Sequence, residues 1–138
     1  MRKIIRTIFL LILVVSFSCE EQGIFVDCTE CTAVEPIKTT LEIKLDLNDY
    51  SHSTIIRVYE GNLEDSVLYD SVNAYAVKTS VPVTINKTYT VAVSYYFAGN
   101  NYTAIDSATP RVKYNKDQCS VPCYYIYDRT IDLRLRQR

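Results

Sequence analysis

The stretch Thr88-Tyr89-Thr90-Val91-Ala92-Val93-Ser94-Tyr95-Tyr96-Phe97 alternates without a break. Tyr89, Val91, Val93, Tyr95 and Phe97 fall on one side of an extended chain, and Thr90, Ala92, Ser94 and Tyr96 on the other. A period of two built from β-branched and aromatic side chains predicts a central strand of an antiparallel sheet. The neighbours of this stretch read the same way. In residues 39–47, Leu41, Ile43, Leu45 and Leu47 point one way and Glu42, Lys44 and Asp46 the other, a half-buried strand.

Residues 48–53 form a polar turn, and 54–60 a second strand closed by Gly61-Asn62. Residues 67–72 make a shorter strand after the turn at Glu64-Asp65-Ser66. Residues 75–85 make another, in which Pro82 has no N–H for a ladder and so marks an edge or a bulge. Asn86-Lys87 turns the chain into the central strand, Gly99-Asn100-Asn101 turns it out into 102–107, and Pro110 ends that strand. Residues 113–118 read as a polar loop, and 124–135 as a last strand with Tyr125, Tyr127, Ile131, Leu133 and Leu135 on one face. No stretch beyond residue 18 has a helical period. Seven to eight short strands in about 110 residues predict an all-β fold, a single antiparallel β-sandwich.

Within that pattern, Val83-x-Ile85-x-x-x-Tyr89-x-Val91-x-Val93 resembles the E-to-F corner of fibronectin type III and immunoglobulin-like (Ig-like) domains. The resemblance implies that Tyr89 bonds its hydroxyl back to the corner backbone and that Val91 takes the next inward position. It extends over roughly residues 39–112 and carries no activity with it.

The N-terminus gives an address. Arg2, Lys3 and Arg6 precede a short apolar run, residues 7–17, well under the roughly 20 residues needed to span a bilayer. Residues 1–18 therefore read as a secretory signal peptide. Ser16-Phe17-Ser18-Cys19 resembles the lipobox of bacterial lipoproteins, which implies that Cys19 is lipidated and becomes the mature N-terminus. Glu20-Glu21 resembles the surface-export signal of Bacteroidetes lipoproteins, and the chain as a whole resembles their small, uncharacterised sandwich lipoproteins. An ordinary signal peptide followed by a free cysteine is the alternative. The expected organisation is a signal peptide (1–18), a lipidated tether (19–36) and a β-sandwich domain (37–138).

Of 15 Lys+Arg and 16 Asp+Glu, cleavage before Cys19 removes three bases and no acids, leaving 12 against 16. A mature chain of formal charge −4 has no basic excess for a phosphate backbone, so no nucleic-acid partner is expected. Cys28, Cys31, Cys119 and Cys123 are an even set, which in an exported chain predicts two disulfides in one of three connectivities. The same C-x2-C and C-x3-C spacing also suits a four-thiolate zinc site; disulfides are the expectation, and no metal or cofactor.

Catalytic patterns are missing. His52, the only histidine, lies in Asp49-Tyr50-Ser51-His52-Ser53, where neighbours in one turn cannot converge as a triad does. Three glycines leave no phosphate-binding loop, so no enzyme is expected. Twelve tyrosines are the more suggestive feature. Tyr95, Tyr96, Tyr102, Tyr114, Tyr124, Tyr125 and Tyr127 either fill strand faces or form a patch for a sugar or a protein partner. Ser66, Ser71 and Ser107 sit in Asp-Ser-apolar triplets that resemble the O-glycosylation acceptor of Bacteroidetes. Arg134, Arg136 and Arg138 share one face of the last strand, as a charge-blunted edge does.

The functional expectation is a non-catalytic binding or adhesion module, lipid-anchored at the outer membrane and exposed on the cell surface. Its ligand would be an unknown protein or glycan, met by loops expected together at one end of the sandwich, 48–53, 99–101 and 113–118. The alternative is a periplasm-facing accessory subunit of an envelope complex.

Overall fold

The computed structural model of the protein describes residues 25–47, 54–65 and 67–135, with Phe97 through its backbone alone. The signal-like segment, Cys19, Glu20, Glu21, the 48–53 turn with His52, Ser66, Arg136 and Arg138 lie outside the described residues. The described chain is all-β. It forms β1 (Lys38–Lys44), β2 (Thr54–Glu60), β3 (Leu68–Ala74), β4 (Lys78–Thr84), β5 (Tyr89–Phe97), β6 (Asn100–Ala108), β7 (Arg111–Asn115), β8 (Cys123–Tyr127) and β9 (Thr130–Asp132), with one 3₁₀ turn at Leu63–Asp65.

These strands make a four-stranded sheet in the order β3-β2-β5-β6, a three-stranded sheet β4-β1-β9 and a hairpin β7-β8. β5 is flanked on both sides, by β2 and by β6, in the central place its alternation predicts. Tyr89, Val91, Val93 and Tyr95 are all buried. They share one apolar cluster with Leu41, Ile43 and Leu45 from β1 and just beyond it, Ile56 and Val58 from β2, Val81 and Val83 from β4, and Ile131 and Leu133 from β9 and just beyond it. Both larger sheets thus bury the inward phase of their alternation in the same core, and such apolar burial is the main favourable contribution to folding.

Two buried tyrosine hydroxyls on β5 reach from the four-stranded sheet to the main chain of the other. Tyr89 Oη accepts the Thr84 N–H at 3.1 Å. Tyr95 Oη accepts the Asp46 N–H at 3.2 Å and donates to the Leu133 carbonyl at 3.1 Å. A buried hydroxyl without partners would be costly, and these satisfy themselves while tying sheet to sheet.

The structure departs from the sequence reading at the C-terminal end. β9 runs parallel to β1, with Ile43 opposite Ile131, so the pairing is not antiparallel throughout. Its cause is the route of the chain, which leaves the four-stranded sheet after β6, makes the β7-β8 hairpin and re-enters beside β1. The single strand expected at 124–135 is two strands, because Asp128 adopts a left-handed φ of 56° that breaks the ladder between them. Residues 113–118, expected as loop, begin inside β7. The β7 pattern is mostly exposed, so no apolar alternation marks it as a strand. There are nine strands among the described residues rather than seven or eight.

Candidate functional site

Residues 25–36, which fall in the expected tether, and the β7-β8 hairpin form one cross-linked unit. Disulfides join Cys28 to Cys119 and Cys31 to Cys123, the crosswise option among the three connectivities. Between them Thr32 exchanges main-chain hydrogen bonds with Tyr124, at 2.9 and 2.8 Å. Val26 N–H donates to Gln118 Oε1. Buried Asn115 shapes the hairpin loop, its Oδ1 accepting the N–H groups of Asp117 and Gln118. Arg129 bonds Glu30 of the tether and lies 3.5 Å from Glu42 of β1, linking this unit to the three-stranded sheet.

The sulfurs of Cys31, Cys119 and Cys123 come within 4.8 Å of one another. Sulfurs engaged in bridges offer no thiolate, so this arrangement is a pair of adjacent disulfides and not a zinc centre. A cleft of about 140 Å³ opens beside them, lined by Phe25, Asp27, Glu30, Tyr125, Tyr127 and Arg129. The Asp27 carboxylate is held below its usual range by hydrogen bonds from the Thr29 hydroxyl and N–H. At the end of β9 the Asp132 carboxyl is held well below the usual range by the hydrogen-bonded guanidinium of Arg134, two residues further on. Both displacements favour the charged form, opposite to what a general acid near neutral pH needs.

Of the expected contact loops, 99–101 and 113–118 do not share an end, and 48–53 lies outside the described residues. The turn at Gly99 joins β5 and β6 at one end of β5, whereas the chain departs for β7 from Ala108, opposite Tyr89 at the other end. Residues 113–118 therefore belong to the disulfide-linked unit. The tyrosines likewise divide. Tyr95 and Tyr125 are buried, Tyr114 stacks on Tyr124 across the hairpin with ring centroids 4.9 Å apart, and Tyr96 and Tyr102 are exposed near the Gly99 turn.

The largest sheet also presents an outward face. Cross-strand register aligns Ser71, Arg57, Ala92 and Ile105 in one row, with the pairs Asn73–Ile55 and Ser94–Thr103 beyond it. Tyr96 and Asn101 lie beyond them. Ile55, Tyr96 and Ile105 are all at least half exposed, and Arg57 is the only charged residue in these rows. Ser71 and Ser107 are exposed on this face, each with its N–H bonded to Oδ1 of the preceding aspartate. The face went unnoticed in the sequence because its members come from four separated strands. Only pairing register assembles them.

Comparison with protein-family models, curated proteins and solved structures gives no match in any of the three. Among the described residues no helix is long and apolar enough to cross a membrane.

Proposed function

We propose that the chain is a lipid-anchored outer-membrane lipoprotein of Bacteroidetes type, exposed on the cell surface, whose Ig-like or fibronectin III-like β-sandwich acts as a non-catalytic binding or adhesion module. The fold part of this reading rests on the sheet orders, on the shared core and on the bond from Thr84 N–H to the Tyr89 hydroxyl. That bond is what the corner tyrosine of such domains makes. The anchor rests on Ser16-Phe17-Ser18-Cys19, and two disulfides suit a compartment outside the reducing cytosol.

One observation carries the binding reading, the outward face of β3-β2-β5-β6. It mixes hydroxyl and amide side chains with exposed Ile55, Tyr96 and Ile105 around the single cation Arg57. Apolar area and a polar tip together suit a sugar ring or a protein surface, and a low charge count avoids a large desolvation cost. The tether clamp suits the same role. It fastens the route to Cys19 onto the β7-β8 unit, at the end of the body away from the Gly99 turn.

Protease treatment of intact, unpermeabilised cells tests the placement. Digestion of the domain is the expected result; full protection would overturn surface exposure and favour the periplasmic subunit. For binding, Tyr96→Ala together with Ile105→Ser is expected to abolish retention on a glycan array or on neighbouring cells. Unchanged retention would remove the face from the reading.

A further inference from the structure

We propose that the β6 edge is a homodimerisation seam, at which two copies of this chain pair antiparallel about a two-fold axis through Thr103. The β5-β6 hairpin closes through Ala98 and Gly99, both at positive φ, with Phe97 opposite Asn100. In a two-residue turn of this kind the flanking residues form a hydrogen-bonded pair, and bonded and non-bonded pairs alternate from there. Asn100, Tyr102, Ala104, Asp106 and Ala108 therefore turn their main-chain groups to β5. Asn101, Thr103, Ile105 and Ser107 turn theirs outward. The other side of β5 agrees with this phase, since Thr88, an even-numbered residue, gives its carbonyl to Gly61 beyond β2.

At the lower end of the edge the outward groups are occupied. The Ser107 N–H bonds Asp106 Oδ1, and Asp106 Oδ2 accepts the N–H of Asp132 on β9. Asn101, Thr103 and Ile105 have no such partners among the described residues, and all three are exposed.

Natural sheets guard open edges with charges, prolines, bulges or short strands. The other edges here carry such guards. β3 is bulged against Val58 and Tyr59, β4 bears Lys78 and Pro82, β9 is three residues long beside Arg129 and Arg134, and β7 bears Arg111 and Lys113. The span from Asn100 to Ile105 has none of these, and its register with β5 is unbroken.

The occupant follows from the span itself. Two copies set antiparallel place Asn101 opposite Ile105 of the other copy, Thr103 opposite Thr103, and Ile105 opposite Asn101. Each free N–H and C=O then meets its counterpart, with no group left over. No charge faces a like charge across the seam. The arrangement closes on itself, as an isologous contact must, and leaves no open β6 edge for a third copy. It also joins two outward faces into one, with Tyr96 and Asn101 of one copy in the same cross-strand row as Ile105 of the other.

Sedimentation of the full-length chain in detergent over a concentration series tests this. The expected result is a dimer that grows with concentration, and at least a tenfold weaker dimer for Thr103→Lys, which sets two ammonium groups across the axis. Thr103→Lys should melt as the parent chain does, because its N–H points away from β5 and its side chain stands on the exposed outward face. In parallel, mild oxidation of Thr103→Cys should trap a covalent dimer that the parent and a Ser71→Cys control do not form. In a bonded pair the Cα atoms stand about 5.5 Å apart, within disulfide range. A parent chain that stays monomeric, a dimer untouched by Thr103→Lys, or equal trapping of Thr103→Cys and Ser71→Cys would each overturn the proposal. So would a monomer whose β6 edge takes up only an unrelated extended peptide.

Discussion

Tyr89 and Tyr95 occupy the same phase of one strand, six positions apart, yet their hydroxyls do different amounts of work. Tyr89 Oη takes a single N–H, from Thr84. Tyr95 Oη takes an N–H from Asp46 and gives its proton to Leu133, so its removal strands a donor and an acceptor together. Leaving a buried polar group unsatisfied costs about 1–3 kcal/mol. Tyr95→Phe is accordingly expected to lower the unfolding free energy by roughly 2–4 kcal/mol and Tyr89→Phe by roughly 1–2 kcal/mol, measured by urea denaturation. Equal losses would contradict the two-bond role of Tyr95. Burial, the larger cause, also raises the Tyr95 pKa above its ordinary 10.0, with the charges of Asp46 and Asp132 adding to it. The folded state then holds this proton more tightly than the unfolded state. Its contribution is complete below pH 10, and stability falls as the pH climbs from there through the raised folded value. Tyr95→Phe should flatten that alkaline decline, seen as a smaller loss of denaturation midpoint between pH 9 and 11.

Among the elements, β2 was legible to the residue and β5 nearly so, because their sequences alternate with a period of two and their apolar phase is the buried one. Register then did what composition could not. Composition set Tyr95 among the tyrosines of a possible patch, whereas its phase with Tyr89 and Val91 set it on the inward side of β5, where it is buried. β7 was missed for the opposite reason, since a hairpin braced by disulfides does not need an apolar face to hold it. The division of the last strand depends on one residue, Asp128, whose left-handed backbone an aspartate adopts more readily than most side chains. The β5-β6 turn offers a test at this scale. Both of its central residues lie at positive φ, and the first is an alanine, at 51°. A Cβ on Gly99 would meet nothing within 4 Å, so Gly99→Ala carries only the backbone penalty, about 1–2 kcal/mol. Ala98→Gly should run the other way and raise the thermal midpoint modestly, relieving the same strain at a position that now bears it.

At the scale of the whole molecule, the two ends of the described chain are held together twice. Cys28–Cys119 and Cys31–Cys123 span 91 and 92 residues, so either bridge alone closes nearly the same large loop. Once one is in place, the second closes only a small ring through residues 28–31 and 119–123. Loop-closure entropy assigns about 2.5 kcal/mol to a ring of about nine residues and about 4.5 kcal/mol to a loop of about ninety. The two bridges should therefore be strongly non-additive. Replacing Cys28 and Cys119 by alanine should cost about 2.5 kcal/mol, as should replacing Cys31 and Cys123, because in each case the survivor still closes the long loop. Removing all four sulfurs should cost about 7 kcal/mol, well above the sum of the two single-bridge losses. Guanidinium unfolding of the three variants, each checked for its remaining bridge by mass spectrometry, measures the difference. A quadruple variant that loses no more than the sum would mean that the bridges act through local contacts in the hairpin. The excess over the sum, if found, is what binding the N-terminal segment to the C-terminal hairpin contributes to a chain of this size.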